Sequence, residues 1–107
     1  MAELAGFQKK YLRGIAHGLK PVVFIGQKGL GTEVFKATEE ALEQHELIKV
    51  KFNDFKEKEQ KAEINKRISQ KTGAALAGAI GHTAIFYRQQ KDPQKRKIVL
   101  PQRQKTQ

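Results

Sequence analysis

The chain has 107 residues and a mass of 12.1 kDa, enough for one domain with a modest core and too little for two. Twenty-one Lys and Arg against eleven Asp and Glu give a net charge of +10 and a pI near 10.0, which favours nucleic acid or an anionic membrane surface as partner and says nothing about fold. No apolar run approaches the roughly 18 residues that span a bilayer, Met1 to Lys10 lacks a signal-peptide layout, and without cysteine there are no disulfides or thiolate metal sites, so the expectation is a cytoplasmic protein with no membrane partner.

Leu4, Phe7, Tyr11, Leu12, Ile15 and Leu19 recur at helical spacing and predict an amphipathic helix over Glu3 to Leu19, weakened by Gly14 and closed by Gly18. Opposite this stripe, Lys9, Arg13 and His17 are spaced four apart in one exposed row with Lys10 beside them. Pro21 to Ile25, β-branched and aromatic between proline and glycine, reads as a buried strand. After Gly26-Gln27-Lys28-Gly29, Thr32 is a candidate N-cap, and Val34, Thr38, Ala41, Leu42 and His45 form the inward stripe of a second helix.

From Ile48 to Phe52 the pattern alternates, with Ile48, Val50 and Phe52 on a buried face and Lys49 and Lys51 on the other. Phe55 to Lys71 is highly charged, with Ile64 and Ile68 as a narrow apolar seam, and predicts a third helix with Asp54 as cap and Thr72-Gly73 as stop. Ala74 to Ile80 and His82 to Arg88 read as two strands around Gly81, with Ala84 and Phe86 on one face and Thr83, Ile85 and Tyr87 on the other. The order α-β-α-β-α-β-β predicts an α+β fold, a compact two-layer sandwich with one four-stranded mixed sheet, over residues 1–90. Residues 91–107 carry six basic residues against Asp92, half of the net charge, and are expected to be a basic tail whose segment Ile98 to Pro101 packs back on the body as an edge.

Glycines at both ends of the 26–29 segment allow a turn and leave no Cβ between the peptide groups and a ligand. Lys28 adds charge, and the helix that follows turns its positive end toward an anion. Spacing alone is weak evidence, because Gly78-Ala79-Ile80-Gly81 repeats it with apolar middle residues and reads as a strand end and turn. A catalytic reading has little to stand on: His17, His45 and His82 are the only histidines, no pair has metal-ligand spacing, and Ser69 is the only serine. His45 is expected to face inward as a core histidine, and His82 to lie at a turn.

Over nearly its whole length the chain resembles the stand-alone bacterial form of the CRM domain, the chloroplast RNA splicing and ribosome maturation family, also called the YhbY family. The matching segments are Leu12-Arg13-Gly14-Ile15-Ala16-His17-Gly18-Leu19-Lys20-Pro21-Val22-Val23, Glu40-Ala41-Leu42-Glu43, His45-Glu46-Leu47-Ile48-Lys49-Val50-Lys51, Thr72-Gly73-Ala74, Ile80-Gly81-His82-Thr83, Tyr87-Arg88 and Lys97-Ile98-Val99-Leu100-Pro101. The resemblance implies a fold similar to the C-terminal domain of bacterial translation initiation factor 3, with a KH-like Gly-x-x-Gly loop at Gly26, Gln27, Lys28 and Gly29. It also implies RNA in precursors of the large ribosomal subunit as partner; plant relatives act in group II intron splicing. The sequence departs from the usual pattern at Gly31, where threonine is common, and at Gln89, where proline often follows Tyr-Arg; these are expected to loosen the loop end and the start of the tail.

The expected function is therefore non-catalytic RNA binding in large-subunit assembly by a monomer that needs no cofactor, metal or small-molecule substrate. The candidate RNA-contacting set is Gly26, Gln27, Lys28, Gly29, Lys9, Lys10, Arg13, His17, Lys20 and Arg88. With six Phe and two Tyr, most of them fitting the core, no base-stacking platform is expected. The competing reading is a general RNA binder or chaperone acting on other structured RNA, such as intron RNA, mainly through its charge.

Overall fold

Leu47 at one end of the central strand and the Ile48, Val50 and Phe52 series on its other face are all buried, so this strand must be covered from both sides. The computed structural model describes residues 4–54 and 57–102. In chain order these form α1 (Gly6–Ala16), β1 (Val23–Ile25), α2 (Thr32–His45), β2 (Leu47–Phe52), α3 (Lys58–Thr72), β3 (Ala75–Ile80) and β4 (Thr83–Tyr87), followed by a 3-10 turn at Pro93–Lys95. The expected starts of the first helix at Glu3 and of the third at Phe55 lie outside the described residues.

The sheet runs β1-β2-β4-β3, with β1 parallel to β2 and the other pairs antiparallel. The parallel pair follows from the α2 crossover between β1 and β2; β3 and β4 close as a hairpin over Gly81, whose φ of 58° suits glycine. Alternation then divides the core in two. Val23, Ile25, Ile48, Val50, Phe52, Ala84 and Phe86 face α2 and α3, with Leu42, Ile64 and Ile68 packed on them. On the other face Leu47, Ala77, Ile85 and Tyr87 meet Leu12 and Ala16 of α1. The predicted elements and the mixed four-stranded sheet are present, but helices cover both faces, so the sandwich has three layers rather than two.

A single helix cannot cover four strands, and this explains where the predicted helical stripes err. In α1 only Leu12 and Ala16 are buried, while Phe7, Tyr11, Ile15 and Leu19 of the expected inward set keep substantial exposure. A bulge between Leu76 and Gly78 places both Ala77 and Gly78 beneath α1. The Arg13 side chain lies over Gly78, where an added Cβ would come within 2.6 Å of its Cδ, and its guanidinium donates to the Ala77 carbonyl at 3.0 Å.

His45, expected inward, is exposed in the last turn of α2, because the stripe through Thr38, Ala41 and Leu42 ends before it. Neither predicted cap holds: Gly31 and Glu57 are the N-caps of α2 and α3, so Thr32 is already helical and Asp54 lies upstream of α3. Gly73 does stop α3, in left-handed conformation with φ of 75°.

The tail is anchored by a residue that the pattern did not single out. Glu46, buried between α2 and β2 at φ 62°, accepts from the backbone N–H groups of Gln90 at 2.8 Å, Lys97 at 2.6 Å and Ile98 at 3.1 Å. Ile98 and Leu100 pack on the α1-side core, and Gln8 donates to the Pro101 carbonyl at 3.2 Å. The segment thus packs back as expected, though without pairing as a strand, and the start of the tail at Gln90 is fixed rather than loosened.

Candidate nucleic-acid interface

The Gly26–Gly29 segment is a closed four-residue turn at the end of edge strand β1. The Gly29 N–H donates to the Gly26 carbonyl at 3.0 Å, and Gly29 sits at φ 69°, so the second glycine is required by the backbone itself. At Gly26 an added Cβ would meet nothing within 4 Å, so its small size serves no internal contact and leaves the peptide approachable from outside. Gln27 and Lys28 form the exposed tip. Three residues on, α2 begins at Thr32 with no side chain capping it, which leaves the amides of its first turn and the positive end of its dipole beside the loop.

The two sides of this turn differ in charge. Toward α3, Lys28, Gly29 and Leu30 border a shallow groove with Glu59, Gln60, Glu63 and Arg67. Two carboxylates make that side unfavourable for a phosphate backbone. The other side continues onto the α1 face of the sheet, beyond the reach of α1. There the register aligns Phe24, Lys51, Thr83 and Ile80 across four strands in the row nearest the loop. Phe24 is 52% exposed and Ile80 67%. The Lys51 ammonium has no hydrogen-bond or ion-pair partner among the described residues, and the strands place no acidic side chain on this face.

Phe24 is thus a surface aromatic where the apolar run predicted a buried one. The parallel register sets Phe24 beside Lys51, so it shares the face on which β2 carries its lysines. Those lysines are the signal: a strand neighbour in line with an exposed Lys shares its exposure.

The remaining candidates divide. On α1, Lys10 and His17 are exposed, whereas Lys9 is half-buried and Arg13 is held against β3 by its bond to Ala77, so the predicted row is not uniformly solvent-facing. Lys20 is exposed in the linker to β1, which is tied to the sheet by the Lys49 ammonium donating to the Leu19 carbonyl at 2.9 Å. These residues lie on the same side of the sheet as Phe24 and Lys51. Arg88 does not join them. Its half-buried guanidinium spans Glu39 at 2.8 Å, Glu43 at 3.1 Å and the Thr72 carbonyl at 2.8 Å, locking α2 and α3 to the end of β4 on the opposite face. His82 is exposed at the β3–β4 turn, as expected, with Nδ1 3.3 Å from the Lys61 ammonium.

The CRS1 / YhbY (CRM) domain model matches residues 4–88. An RNA-binding protein of Haemophilus influenzae is 41% identical over 103 residues, covering 96% of this chain and 100% of that protein. A Bacillus subtilis protein named as a probable RNA-binding protein is 35% identical over 98 residues, covering 92% of this chain and 99% of its own length. The solution structure of a hypothetical protein from Staphylococcus aureus shares the fold with a TM-score of 0.74 at 35% identity, over 92% of this chain and 99% of that one.

Proposed function

This chain belongs to the CRS1 / YhbY (CRM) domain family, and from that premise we propose that it is a non-catalytic RNA-binding protein of the cytoplasm that assists assembly of the large ribosomal subunit. The observation that carries the reading is the closed Gly26–Gly29 turn, set against an uncapped helix N-terminus and opening onto a sheet face without acidic residues. Peptide groups at Gly26 and the first turn of α2 take a phosphate, Lys28 pairs with its charge, and Gln27 donates to a neighbouring oxygen. Lys10, Lys20 and Lys51 extend the positive surface along the same side. Phe24 supplies one aromatic face for an unpaired base next to the loop.

Contacts of this kind position a protein on RNA and carry little sequence information, so selectivity rests on RNA shape. The large-subunit assignment rests on the resemblance to bacterial family members associated with large-subunit precursors. The test is sedimentation of a cell extract through sucrose at low and moderate salt, with crosslinking to map attached RNA. Cosedimentation with large-subunit precursors and crosslinks at Gly26–Gly29 are expected. Protein at the top of the gradient, or crosslinks spread through residues 91–107, would overturn the ribosomal role in favour of a general RNA binder.

A further inference from the structure

Helix α3 sorts its side chains by charge. Its flank toward the loop carries Glu59 and Glu63, with Arg67 beside Glu63, whereas its flank toward β3 carries Lys58, Lys61 and Lys66, and the latter encloses a cleft of about 530 Å³ with no acidic lining among the described residues. Phe52, Leu76 and Ala79 supply apolar walls from the sheet. Asn65 also lines the cleft. This side chain is 5% exposed, and its buried Oδ1 has no hydrogen-bond partner among the described residues. Turning the amide over would put its NH2 in the same place, so a buried polar group lacks a partner in either orientation.

The mouth is held in place. The Lys61 ammonium donates to the Gly81 carbonyl at 2.8 Å, tying α3 to the β3–β4 turn, while the ammonium groups of Lys58 and Lys66 have no hydrogen-bond or ion-pair partner among the described residues. The Phe52 N–H donates to the His82 carbonyl at 2.7 Å and the Asn53 N–H to the Ile25 carbonyl at 2.9 Å. The cleft therefore opens at the end of the sheet that also carries the Gly26–Gly29 turn.

We propose that this cleft takes a nucleotide, with an unstacked nucleobase between its apolar walls, the Asn65 amide pairing with the base edge, and Lys58 and Lys66 neutralising the adjoining phosphates. The proposal rests on the RNA-binding reading for the source of that nucleotide, a base turned out of a strand that crosses the loop. Its chemistry fits better than the alternatives. An acyl chain would leave Asn65 unpaired, and inorganic phosphate would leave the walls unused. A base has two apolar faces and a hydrogen-bonding edge, and an amide reads adenine in particular through one donor and one acceptor.

The test uses the isotopically labelled full chain, titrated separately with oligoadenylate and with AMP while the Asn65 side-chain amide resonance is followed by NMR. Asn65→Leu is measured alongside. Oligoadenylate is expected to shift the Asn65 amide, and Asn65→Leu to weaken its binding about tenfold with a melting temperature unchanged or raised, since the substitution removes an unpaired buried polar group. If AMP alone produces the shift and oligoadenylate does not, the cleft is a nucleotide site supplied by free nucleotide. If oligoadenylate perturbs the loop amides of Gly26–Gly29 but neither ligand moves Asn65, the cleft proposal fails and RNA binding stands. If oligoadenylate perturbs nothing, a single strand is not the source of the nucleotide and the proposal as stated fails; loss of binding to structured ribosomal RNA in the same NMR assay is what would overturn the RNA reading. A misfolded leucine variant does not spoil the test, because the shift of the wild-type amide resonance is decisive by itself.

Discussion

Replacing Glu46 tests whether the C-terminal segment belongs to the folded domain. Its carboxylate accepts three backbone N–H groups, from Gln90, Lys97 and Ile98. Gln90 is buried, so in Glu46→Ala its amide loses its partner away from solvent, at a cost of about 1–3 kcal/mol. Lys97 is exposed and Ile98 half-buried, so their amides rehydrate and contribute about 0.5–1.5 kcal/mol each. Together these give a loss of about 4 kcal/mol, or roughly 16–20 °C in melting temperature for a domain of this size. The backbone at Glu46 has φ 62° and ψ −42°, a conformation that strains any residue with a Cβ. Glu46→Gly relieves that strain while losing the same bonds, so it should be about 1 kcal/mol less destabilising than Glu46→Ala. Urea unfolding measures both variants, and hydrogen exchange at Lys97 and Ile98 reads the clamp directly. A Glu46→Ala protein melting within about 2 °C of wild type, with those two amides still protected, would refute the reasoning.

Three further outcomes follow from the same contacts. The Tyr87 phenol is pushed above its ordinary pKa by burial first and by the Glu46 carboxylate second, with Arg96 pulling the other way. The folded state therefore holds that proton more tightly than the unfolded chain; its contribution to stability is complete below about pH 10 and is lost as pH rises further, and Tyr87→Phe should remove that part of the alkaline decline in urea unfolding that begins at about pH 10. Because the hydroxyl has no hydrogen-bond partner among the described residues, the same substitution should cost less than about 1 kcal/mol at neutral pH. Gly29→Ala should destabilise by about 1 kcal/mol, because φ there is 69°, whereas Gly26→Ala should leave the melting temperature unchanged and weaken RNA binding. In filter binding against salt, Lys28→Ala and Lys10→Ala should each lower the slope of log affinity by about 0.7–1, while Arg88→Ala should leave the slope intact and reduce stability instead, because its guanidinium is held by Glu39 and Glu43.

The strands and helices were legible because their periods are clean. Ile48, Val50 and Phe52 alternate with Lys49 and Lys51, and Thr72-Gly73 ends a helix as its chemistry predicts. Depth was not legible. Phe24 looks like core in a five-residue apolar run, yet it lies on an edge strand, and that place in the sheet is fixed by the crossover through α2 and by nothing in the run itself. Phe7, Tyr11 and Ile15 share the apolar stripe of α1 with Leu12, but one helix laid on four strands buries only its line of contact. The role of Glu46 is a tertiary matter, since its three partners lie more than forty residues along the chain.

The same clamp bears on how the charge of the tail acts. As a free polycation, residues 91–107 would contact any RNA with equal ease, which is the basis of the general-binder reading. Tied at Gln90, Lys97 and Ile98, and packed through Ile98 and Leu100 onto the α1-side core, the segment up to Pro101 has a fixed place beside α1. The Arg96 guanidinium donates to the Gln90 carbonyl at 2.8 Å within the tail itself, which reduces what it offers a phosphate. On the RNA-binding proposal, charge held in place beside α1 presents a surface of fixed shape, and such a surface discriminates between RNA folds where a flexible polycation does not. If RNA follows the Gly26–Gly29 turn as proposed, a tail fixed in this way acts with the turn rather than in place of it.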